Sequence, residues 1–229
     1  KAESRGLGDV YKRQLYYRRP TASSLLYGLE SNRGGRIMDW DERIENLKEV
    51  TGFPKVLFIG EDGRVYGTWV MGNDYRVKSN YYGGYPAGYL RRIKALFPDK
   101  KNVLHLFSGM VDVETYPGKR VDINPDTNPD YVDDAQSLEN VPVEEFDLIL
   151  ADPPYSVEDC EHYQTTMIKR NKVMKALGAK AKSGTHVVWL DQVLPMYRKA
   201  EWKVVAYIGM VKSTNHRFRV ITIFEKISE

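Results

Sequence analysis

The chain has one cysteine, Cys160, and four histidines in 229 residues. A single thiol excludes an intrachain disulfide and any zinc site built from several cysteines. His105, His162, His186 and His216 are scattered without the short spacing of metal ligands, so no metal is expected. Long apolar runs are also missing. The longest are of strand length, well short of the roughly 20 residues of a membrane helix. No secretory signal is visible, so a soluble, cytoplasmic protein without membrane contact is expected. The chain carries no internal repeat and no low-complexity segment. A strong charge of one sign is absent too: the net charge is only +3. Residues 1–14, KAESRGLGDVYKRQ, hold four basic and two acidic side chains, which leaves about +1 on all that follows. A surface built to grip phosphate by charge alone would be more basic.

The hexapeptide DVYKRQ at residues 9–14 is also the translation of a sequencing-library adapter, GATGTGTATAAGAGACAG. Residues 1–14 are therefore expected to be an assembly artefact, and 15–38 a flexible lead-in. Met38 is the first methionine and opens the first well-patterned segment. The whole chain is 42% hydrophobic, enough for the core of one large domain, or of one domain with an appendage.

Residues 39–98 read as a small α+β appendage. Asp39–Val50 is an amphipathic helix with Trp40, Ile44 and Leu47 on one face, Asp39 as a possible N-cap and Gly52 as the stop. PKVLFIG and GRVYGTWVM, split by Glu61-Asp62-Gly63, form a hairpin. An irregular Tyr-rich loop and a basic helix, Tyr89–Phe97, follow. Residues 99–229 alternate strands with connections: Val103–Phe107, Lys119–Ile123, Tyr131-Val132, Phe146–Ala151 and His186–Leu190. A basic helix over 164–182 precedes the last of these. Its Lys169, Arg170, Lys172 and Lys175 read as a solvated face. Trp202–Val211 and Phe218–Glu225 close the chain as an antiparallel pair. The expected fold is α/β: a Rossmann-like, doubly wound, mostly parallel sheet with a C-terminal antiparallel hairpin.

The most informative segment is FDLILADPPYS, residues 146–156. Its hydrophobic run reads as a buried strand, and Pro153-Pro154 ends it because proline cannot continue a ladder. An acid, Asp152, and a ring, Tyr155, thus stand at the carboxyl end of a strand, where open α/β sheets bind ligands. Upstream, VLHLFSG (103–109) ends a strand in Ser108-Gly109. RVDINPD (120–126) ends another in Asp122, the place of a ribose-binding acid in nucleotide-binding α/β folds.

In this order the three segments resemble the class I S-adenosylmethionine-dependent methyltransferases. Within that class they are most similar to the nucleic-acid amino-methyltransferases with a D/N/S-P-P-Y/F/W tetrapeptide. The resemblance covers residues 102–229, about half the chain. It implies S-adenosyl-L-methionine as cofactor, bound by Phe107, Ser108, Gly109, Asp122, Asn124, Asp134 and Asp152. Gly109 would let the backbone approach the methionine moiety, and Asp122 would hold the ribose. Asp134 would stand near the adenine amino group; Asp133 is an equally short step away, and an N-cap is the competing role. Asp152, Pro153, Pro154 and Tyr155 would be catalytic. The carboxylate and the Pro153 carbonyl would accept hydrogen bonds from an exocyclic amine, while Tyr155 stacks on a base flipped out of its duplex.

For substrate, the resemblance tilts toward adenine N6 in DNA. An RNA adenine or guanine amino-methyltransferase is the runner-up, and a catalytically degenerate binding subunit is the reading from a different class. Nucleic acid is the expected partner, contacted by Tyr82, Tyr85, Tyr155, Asn215 and Arg217. Tyr82 and Tyr85 belong to NDYRVKSNYYGGYP (73–86), which mixes rings with Arg76 and Lys78; packing on the sheet edge is its alternative. Asn215 and Arg217 belong to KSTNHRFR (212–219), a hairpin turn that contacts phosphates or is merely solvated. The chain departs from the family between Gly109 and Lys119, where Met110–Gly118 is too short for the usual helix. A loop crossover is expected there, or a trimmed topology.

Overall fold

The computed structural model of the chain describes residues 37–72, 85–154, 167–213 and 218–227. Among them are the helices α1 (Trp40–Thr51), α2 (Tyr89–Leu96) and α3 (Arg170–Lys180). The strands are β1 (Leu57–Ile59), β2 (Val65–Met71), β3 (Val103–Leu106), β4 (Lys119–Asp122), β5 (Tyr131–Val132), β6 (Leu148–Ala151), β7 (His186–Asp191), β8 (Trp202–Lys212) and β9 (Phe218–Lys226). All nine lie in one sheet, in the order β1-β2-β8-β9-β7-β6-β3-β4-β5.

β3 pairs in parallel with β4 on one side and β6 on the other, and β5 and β7 extend the two sides in parallel. β9 then enters antiparallel between β7 and β8. The sheet is therefore doubly wound and ends in the expected antiparallel hairpin. The strand order reverses between β3 and β6, so the crevice at their carboxyl ends is the topological switch point.

The sheet is buried on both sides because alternate residues feed two cores. Val103, Leu148, Leu150, Val188 and Leu190 pack with α1 and α2. Leu104, Leu106, Ile149, Val187 and Trp189 pack with α3 on the other face. Strands covered on both faces read as near-continuous apolar runs, and this is why LILA and HVVWL were legible as strands.

The N-terminal α+β part is joined to this sheet. β2 pairs with β8 in parallel along its whole length, Val65↔Ala206 to Met71↔Lys212. Its Val65, Trp69 and Met71 enter the same core as Ile208 and Met210. Gly67 allows the close β1–β2 approach, since a Cβ there would lie 2.2 Å from the Val56 carbonyl oxygen. α1 forms where its caps are. The Asp39 carboxylate accepts the Glu42 amide and the Glu42 carboxylate accepts the Asp39 amide, while Gly52 closes the helix at φ 68°. α1 is fixed to the end of α2 by Arg43, which is 1% exposed. Its guanidinium donates to the Leu96 carbonyl at 2.9 Å and to both Asp99 oxygens at 2.5 and 2.7 Å. Burial alone would raise the Asp99 carboxyl, but the Arg43 hydrogen bonds and charge hold it below its ordinary value.

The β3–β4 crossover is a loop, as its length requires. The Asp112 carboxylate accepts the Glu114 and Thr115 amides, and Tyr116 turns back into the core. His105, wholly buried in β3, donates from Nε2 to the Tyr116 carbonyl at 3.0 Å. Element ends differ from the sequence reading for local reasons. Phe107 leaves β3 by adopting φ 55°, and Phe146 closes a 3-10 turn at Val143–Glu145. Ile123 leaves β4 as the Asp122 carboxylate takes the Asn124 amide. α3 starts only at Arg170, because the Gln136 side chain holds the Lys169 amide and leaves that residue extended. No helix among the described residues is long and apolar enough to cross a membrane.

Breaking a buried ion pair from one side costs about 3–5 kcal/mol, so Arg43→Ala should lower unfolding stability by about 3 kcal/mol or more in urea titrations. The exposed Lys55–Glu45 pair serves as control, and Lys55→Ala should leave the midpoint unchanged. Two histidines predict an acid limb. Burial pushes His105 from 6.5 down to about 4 and His186 down to about 3. Their depressed folded values mean a contribution that is complete above pH 6.5 and lost as pH falls through these values. His105→Gln should flatten the dependence of unfolding free energy on pH between 6.5 and about 4.5; an unchanged slope contradicts this.

Candidate active site at the carboxyl edge of the sheet

Each strand that matters ends at the same edge, and the chain turns sharply there. After Leu106 the backbone takes a left-handed step at Phe107 and another at Gly109, with φ 55° and 45°. Glycine tolerates this; a phenylalanine held there costs about 1–3 kcal/mol and persists only where its surroundings over-determine it. The surroundings do so. The Ser108 amide donates to the Val121 carbonyl at 3.1 Å, and the Gly109 amide donates to Asp122 Oδ2 at 2.7 Å. The other Asp122 oxygen accepts the Asn124 amide at 2.9 Å. Asp122 is therefore a clamp that ties the end of β3 to the end of β4. A carboxylate offers about four acceptor positions; these two bonds leave two for a ligand's hydroxyls. Ser108 Oγ is buried with no hydrogen-bond partner among the described residues.

The register brings the second half of the site alongside. Leu106 pairs with Ala151, so Phe107 and Asp152 are the next residues of two adjacent strands. Asp152 and Pro154 are half-buried and Pro153 is buried. Tyr85 is also brought here. Its ring stacks on Tyr89 at a centroid distance of 4.7 Å and 12° between planes. Burial raises both tyrosine hydroxyls well above their ordinary value, and the Asp152 charge raises them further, while Arg219 acts in the opposite direction on Tyr89. Asp152, Tyr85, Tyr89 and Arg219 thus share one electrostatic neighbourhood.

Other predicted residues have additional duties. Asn124 caps the 3-10 turn Pro125–Thr127 through its side-chain oxygen, which accepts the Asp126 amide. Both acids after β5 hold the following loop. Asp133 accepts the Asp134 and Asn140 amides, and Asp134 accepts the Gln136 amide at 2.8 Å and its side-chain amide at 3.3 Å. Asp134 therefore caps a turn, and no helix follows it. Tyr82, Tyr155, Asn215 and Arg217 lie outside the described residues, as do Arg76 and Lys78. The residues that flank these segments are at the same edge. Met71 pairs with Lys212, the Ser213 amide donates to the Met71 carbonyl, and Val220 pairs with Asp191.

The sequence reading missed a further carboxylate. Asp191, wholly buried at the end of β7, accepts Arg170 Nε at 2.6 Å and Nη2 at 3.1 Å. It also accepts Trp189 Nε1 at 3.0 Å and the Gln192 amide at 2.7 Å. Arg170 is thus no part of a solvated face: a buried carboxylate at the sheet edge draws it inward. The signal was available, because HVVWLD ends a buried strand in an acid, as RVD does.

No protein-family model and no curated protein sequence matches the chain. Among solved structures it is similar to TrmN from Thermus thermophilus, at 15% identity and a TM-score of 0.43, over 62% of this chain and 49% of that one. It is also similar to the N-methyltransferase NodS from Bradyrhizobium japonicum WM9 in complex with S-adenosyl-l-homocysteine, at 12% identity and a TM-score of 0.40, over 60% and 83% of the two chains. A third is the PH0226 protein from Pyrococcus horikoshii OT3, at 18% identity and a TM-score of 0.39, over 66% and 97%. The aligned region spans about half the length of TrmN. The architecture described above stands on strand order and register alone.

An amide bonded to a carboxylate contributes about 1.5–3 kcal/mol, so Asp122→Ala should release both turns at once. Hydrogen exchange at the Gly109 and Asn124 amides should accelerate while the amides of β7 keep their protection. Unchanged exchange at Gly109 would show that the clamp is not what holds the turn.

Proposed function

We propose that this edge is the site of an amino-methyltransferase, which moves a methyl group from S-adenosyl-L-methionine to the exocyclic amine of a nucleobase, adenine N6 in DNA. One observation carries the reading. The Leu106↔Ala151 register sets the Phe107-Ser108-Gly109 turn beside Asp152-Pro153-Pro154 at the switch point of the sheet.

The residues present fit the cofactor. Ser108 Oγ is a buried hydroxyl with no hydrogen-bond partner among the described residues, and Asp122 keeps acceptor positions for the two hydroxyls of a ribose. Asp133 and Asp134 stand one strand further along, the Asp133 amide bonded to the Asp122 carbonyl. Phe107, Gly109 and Asn124 complete that wall. The bound cofactor would supply an electrophilic methyl on a sulfonium.

The chain's own groups then deal with the acceptor nitrogen, whose lone pair is delocalised into the ring. The Asp152 carboxylate accepts one N–H of the amine and the Pro153 carbonyl accepts the other. Pro154 has no N–H of its own to compete for them. Two acceptors on one side favour a tetrahedral nitrogen and free its lone pair for attack. The proton lost on methylation leaves through the bond to Asp152. Tyr155 supplies the stacking surface, worth ~1–3 kcal/mol per base, and Tyr82 and Tyr85 add further rings. Asn215 and Arg217, which lie between β8 and β9 in the sequence, would meet phosphates. The acid that opens Asp152-Pro153-Pro154-Tyr155 supports adenine.

The test is incubation with labelled cofactor and separate DNA and RNA pools, followed by nucleoside mass spectrometry. Labelled N6-methyladenine from DNA is expected. Label confined to the RNA pool would move the activity to RNA, and no label in either pool would sink the enzymatic reading. Asp152→Ala should abolish transfer while cofactor binding by calorimetry stays within several-fold. Full activity in that variant would remove Asp152 from the mechanism.

A further inference from the structure

The strained Phe107 turn is held on one side by Asp122 and the β4 carbonyl. Its other side rests on a chain of contacts that reaches α3. The Phe107 ring meets the Trp189 ring edge-on, with centroids 6.4 Å apart and planes at 78°. Trp189 is wholly buried, and its indole N–H is fixed by Asp191. Asp191 in turn is gripped in a fork by Arg170, the first residue of α3. The residue before it is tied to the opposite wall: the Lys169 amide donates to Gln136 Oε1, and the Gln136 amide group donates to both Asp134 oxygens at 3.3 Å. The start of α3 thus touches both flanks of the edge, the β7 side through Asp191 and the β5 side through Gln136.

We infer that Arg170 and Asp191 are positioning residues, which hold the Phe107 turn in its cofactor-binding shape by locking Trp189 behind it. The inference deepens the proposed function and rests on its placing of the cofactor at this turn. The physical reason is that a phenylalanine at φ 55° relaxes to an extended conformation unless its ring is trapped. Trp189 is the trap. An indole whose N–H is bonded to a buried, fully engaged carboxylate cannot turn aside. Arg170 carries the counter-charge that makes a wholly buried Asp191 tolerable, and its planar fork fits both carboxylate oxygens in a way that lysine cannot. Among the described residues the hydrogen bonds of Arg170 run to Asp191, which bonds the Trp189 indole, and this is the route by which Arg170 reaches the Phe107 turn.

The variants are Arg170→Met, Arg170→Lys and Asp191→Asn in the full chain, with two readouts. The first needs no cofactor: the backbone amide resonances of Phe107, Ser108 and Gly109 in the free protein. Arg170→Met should move all three, while the amides of α1, on the far face, stay in place. The second is S-adenosylhomocysteine affinity by calorimetry. Arg170→Met should weaken it by about tenfold, with Arg170→Lys in between and the KM for nucleic acid unchanged. Asp191→Asn retains one oxygen and the shape, which keeps the test open should Arg170→Met fold poorly; it should shift the same amides and weaken affinity in the same direction. Amides of residues 107–109 that do not move in folded variants overturn the coupling. Amides that move without loss of affinity overturn the positioning role. If the wild type binds no S-adenosylhomocysteine, the proposed function fails, and the coupling is still decided by the amide shifts.

Discussion

The Asp122 carboxylate sits at the end of β4 and accepts amides from two directions, Gly109 after β3 and Asn124 after its own strand. Much else at the carboxyl edge depends on that arrangement. β3 and β6 are neighbours whose successors run off in opposite directions across the sheet, which opens a crevice between their ends. A crevice alone is only space. The clamp turns the chain after β3 away from β6 and toward β4, so that the crevice acquires a wall of backbone and acid on one side. The diproline that stops β6 supplies the other wall. The same carboxylate that shapes the wall keeps acceptor capacity, so in the proposed function positioning and binding would fall to one side chain.

The trimmed architecture is compensated locally. A crossover that is usually helical is here nine residues of loop, Met110–Gly118. Buried side chains do the work of the missing helix: Tyr116 fills the core, His105 holds its carbonyl, and a Cβ on Gly118 would lie 2.6 Å from the Val103 carbonyl oxygen. The N-terminal half adds what the parallel sheet lacks on its far flank. β2 lies along β8, and the start of α2 with the segment before it places Tyr89 and Tyr85 within the field of Asp152. The site therefore draws on residues from both halves of the chain.

Features set by local chemistry were legible in the sequence. Asp39 and Gly52 bound α1 because caps act within a turn, and strands buried on both faces announce themselves as unbroken apolar runs. The acids at the ends of β4 and β6, Asp122 and Asp152, were legible in position. For Asp122 a backbone clamp comes in addition, because hydrogen-bond partners are set by how the next segment folds back. Non-local features were not legible. Periodicity marks Val65–Met71 as a strand without naming β8 as its partner. Arg170 looks like one cation in a basic helix until Asp191, 21 positions later, lies beneath it. Tyr89 reads as the start of a basic helix, and only the packing of α2 shows it buried in the core.

The account stands or falls on one site shared by the ends of β3, β4 and β6. Titration of the protein with S-adenosylhomocysteine, followed residue by residue through backbone amide resonances, tests this most directly. The account predicts saturable shifts at Phe107, Ser108, Gly109, Asp122 and Asp152 with one common affinity, and none at Gly184 or Lys226 on the opposite edge of the sheet. Shifts that avoid residues 107–109, or that cluster at the opposite edge, would contradict it.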